Sequence, residues 1–217
     1  MASRKGDRLY GFRGDSIYEW IVDLRTSPHT AVSVTERKLV DLPEGMHPQT
    51  GLNENSDATM LAFGCARDDE NYLGFFNLVG GKMLPAARIP FKPGHLQCHW
   101  QRPDMVSICQ VYGTDVAPLD PNVPRHARIW TMSVGSRAPV PAFYQVPGEI
   151  ATHECWWVND QMTFIGGFHH ENNREEGAVK VLDFKTGEIR VIGQGAWVEG
   201  MSGKELAKYN WWHAAGS

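Results

Sequence analysis

Four histidines are spaced as the parts of one assembled site would be. His47, His95, His153 and His213 lie 48, 58 and 60 residues apart. After each of the first three comes the same order of segments: a turn, an apolar run, a polar loop, a second apolar run ending near Gly, then a third run. Neutral imidazole binds divalent cations and also accepts protons near pH 7. Histidines brought together from distant positions would therefore build a metal site or an acid–base site. A repeat of this length suggests the blades of a β-propeller, in which equivalent positions on successive blades converge on a central axis.

The densest chemistry runs from Gly94 to Trp157. It comprises Gly94-His95-Leu96-Gln97-Cys98-His99-Trp100, then Arg128-Ile129-Trp130, then Thr152-His153-Glu154-Cys155-Trp156-Trp157, and the tail adds Asn210-Trp211-Trp212-His213. Rings beside histidines and an arginine suit a sugar site. Aromatic faces stack on pyranoses, and polar groups take hydroxyls and carboxylates. Each residue also has a plainer reading. His153 could be a structural histidine bonded to backbone, and Arg128 could form a structural salt bridge, with Glu154 as the partner. His47 lacks aromatic neighbours, and His169-His170 reads as a solvated loop. Cys98, Cys155 and the nearby histidines fit no zinc spacing.

The segments that must position these residues read as antiparallel β. Met60–Gly64, Val106–Gln110 and Met162–Gly166 are equivalent runs. So are Leu73–Leu78, Arg128–Ser133 and Val179–Phe184, followed by Ala87–Pro90, Val140–Tyr144 and Ile189–Ile192. Gly80-Gly81, Gly135 and Gly187 fall between the second and third runs, where a hairpin turn needs positive φ. Ile17–Leu24 matches a second run, and His213–Ser217 matches the start of a new unit. The expected fold is therefore all-β: one partial propeller over residues 1–217, with roughly three whole blades and pieces of two. Its open edges would favour homo-oligomerisation. A sandwich or jelly roll is the competing architecture. One short helix is expected at Ser202–Lys208, with Ser202 as its cap. The stretch Thr114–Arg125, with three prolines, is long for a loop.

Composition narrows the functional classes. A hydrophobic share of 42% and a charged share of 21% are those of a globular protein. A net charge of −4 speaks against a general nucleic-acid binder. No apolar run approaches the roughly 20 residues of a membrane helix. The opening residues carry no apolar core of the signal-peptide kind. Cys65, Cys98, Cys109 and Cys155 show no Cys-x-x-Cys spacing and read as reduced core or strand cysteines, so a cytoplasmic location is expected. Arg13-Gly14-Asp15 matches an adhesion tripeptide, a short match expected by chance.

Gly94-His95 followed by Trp100 and Pro103, then Arg128-x-Trp130, then His153-Glu154-x-Trp156, resemble the oligogalacturonate lyase family. The likeness covers most of residues 47–217. It implies a propeller of the seven-bladed kind and cleavage of uronic-acid oligosaccharides by β-elimination, as in pectin degradation. It also implies a divalent metal, manganese first, with calcium or zinc as alternatives. On that resemblance His153 and His213 become the metal ligands, His95 the base, and Arg128 the partner of a substrate carboxylate. Gln97, His99 and Trp156 would line the substrate site. The further metal ligands of the family lie around and beyond the His213 element, past the end of this chain.

Two other functional classes stay open from the residues. One is a non-catalytic propeller remnant that binds carbohydrate or protein. The other is a hydrolase with paired carboxylates, for which Glu149 and Glu154 are close in sequence but not evidently across a sugar.

Overall fold

The computed structural model describes residues 1–23, 33–111, 115–120, 122–168 and 178–194. Those residues form sixteen strands in four antiparallel sheets, and no helix occurs among them. The first sheet holds β1 (Arg8–Arg13), β2 (Ser16–Asp23) and β3 (Ser33–Asp41) in the order β1-β2-β3. The second has β4 (His47–Pro48), β6 (Met60–Arg67), β7 (Glu70–Asn77) and β8 (Lys82–Ile89) in that order, with β5 (Asn53–Glu54) also on β6. The third runs β12-β11-β10-β9, built from β9 (Pro93–Cys98), β10 (Met105–Gln110), β11 (Ile129–Ser133) and β12 (Val140–Pro141). The fourth has β13 (Glu149–Trp156), β14 (Gln161–Phe168), β15 (Ala178–Asp183) and β16 (Ile189–Gln194) in order.

The repeat is visible in this order. His47, His95 and His153 lie on β4, β9 and β13, the first strand of three successive sheets. Gly81, Gly135 and Gly187 take φ of +60°, +85° and +73° in the turns before the last strand of each. Of the Ile17–Leu24 run, the described part Ile17–Asp23 falls on β2, the middle strand of its sheet, as a second run should. The sequence missed its flanks. β3 is exposed along most of its length, so no apolar pattern marks it. The expected helix at Ser202–Lys208 lies outside the described residues.

By contacts the chain divides into two compact units, Met1–Ile108 with Met132–Pro139 and Cys109–Thr131 with Val140–Ser217. The first unit has a core of Tyr10, Ile17, Leu42, Met46, Leu52, Leu61, Phe63, Cys65, Tyr72 and Phe76. Its central strand β6 is buried at six successive residues, Met60 to Cys65. A continuous apolar run of this kind marks a strand covered on both faces. Phe63 meets Phe12 edge-on at 5.3 Å. A Cβ at Gly74 would lie only 2.4 Å from the Phe63 ring.

Arg13-Gly14-Asp15 forms the β1–β2 hairpin. Gly14 takes φ +54°, Arg13 pairs with Glu36 at 2.7 and 2.5 Å, and Asp15 meets His47 Nδ1 at 2.9 Å. Each residue of the tripeptide has a structural partner or a turn to make.

In the second unit β14 is buried from Met162 to Gly167. Phe164 packs against Phe143 at 4.9 Å, and Trp156 against Phe184 at 5.1 Å. The β15–β16 turn is fixed by Asp183, whose carboxylate accepts from Gln161 Nε2 and from the backbone N–H groups of Lys185 and Thr186. The four cysteines lie on β6, β9, β10 and β13, and none of them is in a disulfide. Burial pushes the Cys65 thiol up to about 11 and that of Cys98 to about 12.

Two outcomes are expected. Phe63→Ala should cost about 3–5 kcal/mol in urea unfolding, as emptied aromatic core sites do. Gly74→Ala should also destabilise, since the added methyl and the ring would need the same space; a neutral result would contradict that packing. Asp183 offers a pH test. The Gln161 hydrogen bond, then the two backbone N–H bonds, hold its carboxyl below the ordinary 3.8. A lowered folded pKa stabilises above the unfolded value, and that contribution is lost as pH falls through the folded one. Asp183→Asn should therefore melt below the parent at neutral pH, with the gap closing as pH drops below 3.8.

Candidate functional site

The second unit gathers its charges around one irregularity in β13. Thr152 pairs with Ile165, and the next aligned pair is Cys155 with Thr163. Two residues, His153 and Glu154, therefore face Phe164 alone. This is a β-bulge, and His153 takes φ +52° to make it. A non-glycine residue in that region carries strain, of the kind that collects at functional sites.

The bulge shifts which side chains share a face. Ala151 pairs with Gly166 and Trp156 with Met162, so Glu154 joins Ala151, Glu149 and Trp156 on one side. In an unbroken strand Glu154 would point the other way. Lys180 on β15 is paired with Phe164 and stands on the same side. Its ammonium donates to Glu149 Oε1 at 3.0 Å. Its stem passes Gly166, where a Cβ would lie 2.7 Å from the Lys180 Cδ.

Arg128 completes the cluster. It enters just before β11, and its backbone carbonyl accepts from Gln110 N at 2.8 Å. Its guanidinium donates through Nη1 to Glu154 Oε2 at 2.9 Å and through Nε to Asp115 Oδ1 at 2.7 Å. The side chains of Arg128 and Glu154 are 7% and 0% exposed, and that of Asp115 is 53%. Burial acts to lower the Arg128 pKa, but attraction to Glu154, Cys109 and Asp115 outweighs it, so the net shift is upward. The guanidinium is a fixed cation.

Asp115 is brought in by the long proline-containing segment. Residues 115–117 run along β13 as an added edge. Ala151 N donates to Asp115 O and Ala117 N to Glu149 O, both at 2.9 Å. Gln145 ties the network together. Its Nε2 donates to the carbonyls of Asp115 and Glu149, and its Oε1 accepts from Arg128 N.

The other predicted residues are placed as follows. His95 lies on β9 of the first unit with an exposed side chain, and Gln97 is half-buried on the same face of that strand. His99 is fully buried, and its Nδ1 accepts from the backbone N–H of Gln101 and Arg102, so it closes a turn. Trp156 is fully buried against Phe184. Both are held as core residues, with no ring face open to a sugar. His153 is half-buried on the bulge. His213 and the pair His169-His170 lie outside the described residues. Sequence reasoning anticipated the Arg128–Glu154 salt bridge as an alternative. It missed Asp115, Gln145 and Lys180, which no local motif marks. Glu149 and Glu154 do share a face, but Lys180 and Arg128 respectively neutralise them.

Two kinds of metal donor meet here. The Cys109 sulfur lies within 4.8 Å of a Glu154 carboxylate oxygen, one soft donor beside one hard donor. His153 adds an imidazole next to Glu154 in the chain.

Comparison with known proteins places the fold. No protein-family model and no curated protein matches the sequence. Among solved structures, an oligogalacturonate lyase in complex with manganese superposes with a TM-score of 0.56 at 14% identity, over 92% of this chain and 65% of that one. An oligogalacturonate lyase from Vibrio parahaemolyticus gives 0.58 at 14% identity, over 91% and 66%. The β-propeller domain of Cps50 (Swd1) from Myceliophteria thermophila gives 0.56 at 16%, over 91% and 55%. The fold is a β-propeller. The chain spans just under two thirds of the length of the two lyases. Propellers of different kinds match about equally well, so the likeness speaks of architecture and leaves the activity to the site. No helix among the described residues is long and apolar enough to cross a membrane.

Breaking the buried pair tests its weight. Glu154→Gln should destabilise the protein by about 3–5 kcal/mol, since it leaves a buried guanidinium short of its counter-charge. Arg128→Met alone should do the same, and the double substitution should cost clearly less than the two single losses combined. Strictly additive losses in denaturant unfolding would show that the two groups are not coupled.

Proposed function

We propose that this protein cleaves uronic-acid-containing oligosaccharides by β-elimination with the help of a divalent cation, manganese first and calcium or zinc as alternatives. The observation that carries this reading is the buried Arg128–Glu154 pair beside the strained His153 bulge. It sits in a fold shared with a lyase bound to manganese.

The roles follow from the chemistry. The C5 proton of a uronate is weakly acidic, and its removal needs the adjacent carboxylate neutralised and a base in place. Arg128 offers a planar fork suited to a carboxylate. Glu154 orients that fork from below the surface. His95, exposed on β9, is the proposed base, with Gln97 on the same strand face available to sugar hydroxyls. His153 and Glu154 would hold the cation, together with His213. Imidazole and carboxylate suit such an ion. Asp115 and Glu154 against Arg128 leave one negative charge over for it to balance. When bound, it supplies charge neutralisation to the substrate carboxylate. A pectin-derived substrate and a cytoplasmic location belong to the same reading.

One observation favours a second reading. Two donors of Arg128 already serve carboxylates of the protein itself, which suits a non-catalytic propeller that binds acidic sugars. The experiment is a near-ultraviolet absorbance assay for unsaturated uronate, using oligogalacturonate with and without manganese. Product should form, and His95→Ala should abolish it with the melting temperature unchanged. A protein that makes no product, yet melts higher with oligouronate present, is the binder.

A further inference from the structure

The two carboxylates on Arg128 are not equivalent. Glu154 is fully buried in the middle of β13, and Asp115 is half exposed on the added edge segment. Glu154 takes Nη1, and Asp115 reaches Nε with a single oxygen. The edge formed by Nε and Nη2 can hold a carboxylate through two parallel bonds, which is the stronger arrangement. Asp115 therefore makes a weaker contact than the edge can offer.

We infer that Asp115 is a stand-in for the substrate carboxylate, occupying the Nε edge of Arg128 until a uronate displaces it. The inference rests on the reading above, in that it takes the ligand at Arg128 to be a uronate. A buried guanidinium left short of acceptors is costly. An internal carboxylate removes that cost while the site waits for substrate. The exchange keeps the buried charge constant, since one anion replaces another. The Asp115 side chain can turn into water because it is already half exposed. Its backbone need not move, because Ala151 N and Gln145 Nε2 hold the carbonyl at 2.9 and 3.0 Å.

This arrangement also selects. A neutral sugar brings no charge to replace Asp115 and would leave the cation with fewer acceptors. A uronate brings the charge with it. Asp115 thus weakens all binding at Arg128 but weakens neutral sugars most, which is specificity gained by an opposing group.

The test measures binding of trigalacturonate by titration calorimetry in the presence of manganese, with its methyl ester as the neutral control. Asp115→Ala should bind trigalacturonate about two- to fivefold more tightly than the parent, the upper part of the range an exposed ion pair commands. The ester, which Asp115 opposes most, should gain at least as much, so that the preference for the acid narrows. Asp115→Asn keeps the side-chain shape, guards against misfolding of the alanine variant, and should also tighten. Unchanged or weaker binding in both folded variants would overturn the inference, as would an absence of trigalacturonate binding in parent and variants alike. The product assay on the parent is read separately. Tighter binding without any product ends the lyase reading and leaves the stand-in intact. Product with unchanged affinity does the reverse.

Discussion

A charged pair can be buried only as a pair. Glu154 has no exposed side-chain surface and Arg128 almost none, and either alone would be expensive to keep from water. Much in the second unit is arranged so that the two can meet. The β13 bulge turns Glu154 to the side where Arg128 arrives. The segment at 115–117 runs along β13 and supplies the second carboxylate. Gln145 pins both that segment and the Arg128 backbone, so the polar groups of the cluster are fixed from more than one direction. A network satisfied in this way specifies one arrangement of its strands, because each alternative strands a charge.

The same cluster explains why a histidine occupies a left-handed backbone position that glycine would fill more cheaply. Glycine would make the bulge but bring no side chain. Histidine makes it and adds an imidazole beside Glu154. Backbone outliers of this kind tend to collect at sites.

Much of the architecture was legible because it rests on local signals. The strands of the three full repeats, β6 to β8, β10 and β11, and β14 to β16, carry apolar runs with glycine turns between them, and those runs landed on strands. The first sheet was half legible. β2 has the apolar alternation of Ile17 and its neighbours, whereas β3 is a polar, exposed strand whose place is set only by its partner. The site was less readable for a related reason. Arg128 and Glu154 stood out by residue type and context. Asp115 did not, since an aspartate in a proline-containing loop is ordinary until the loop is seen lying along β13. His99 and Trp156 show the limit from the other side. Their types suit a sugar site, but their burial depends on turn and core packing that no spacing encodes.

Gly166 carries no charge, yet it governs one. The Lys180 stem runs through the volume that a side chain at 166 would fill, and the ammonium at its tip answers Glu149. A side chain at 166 would have to push the Lys180 stem aside and so loosen its ammonium from Glu149, leaving that carboxylate less well compensated. Variation at a silent backbone position would then act as a change in local potential, altering how strongly the cluster draws cations and repels acids without touching a single polar atom.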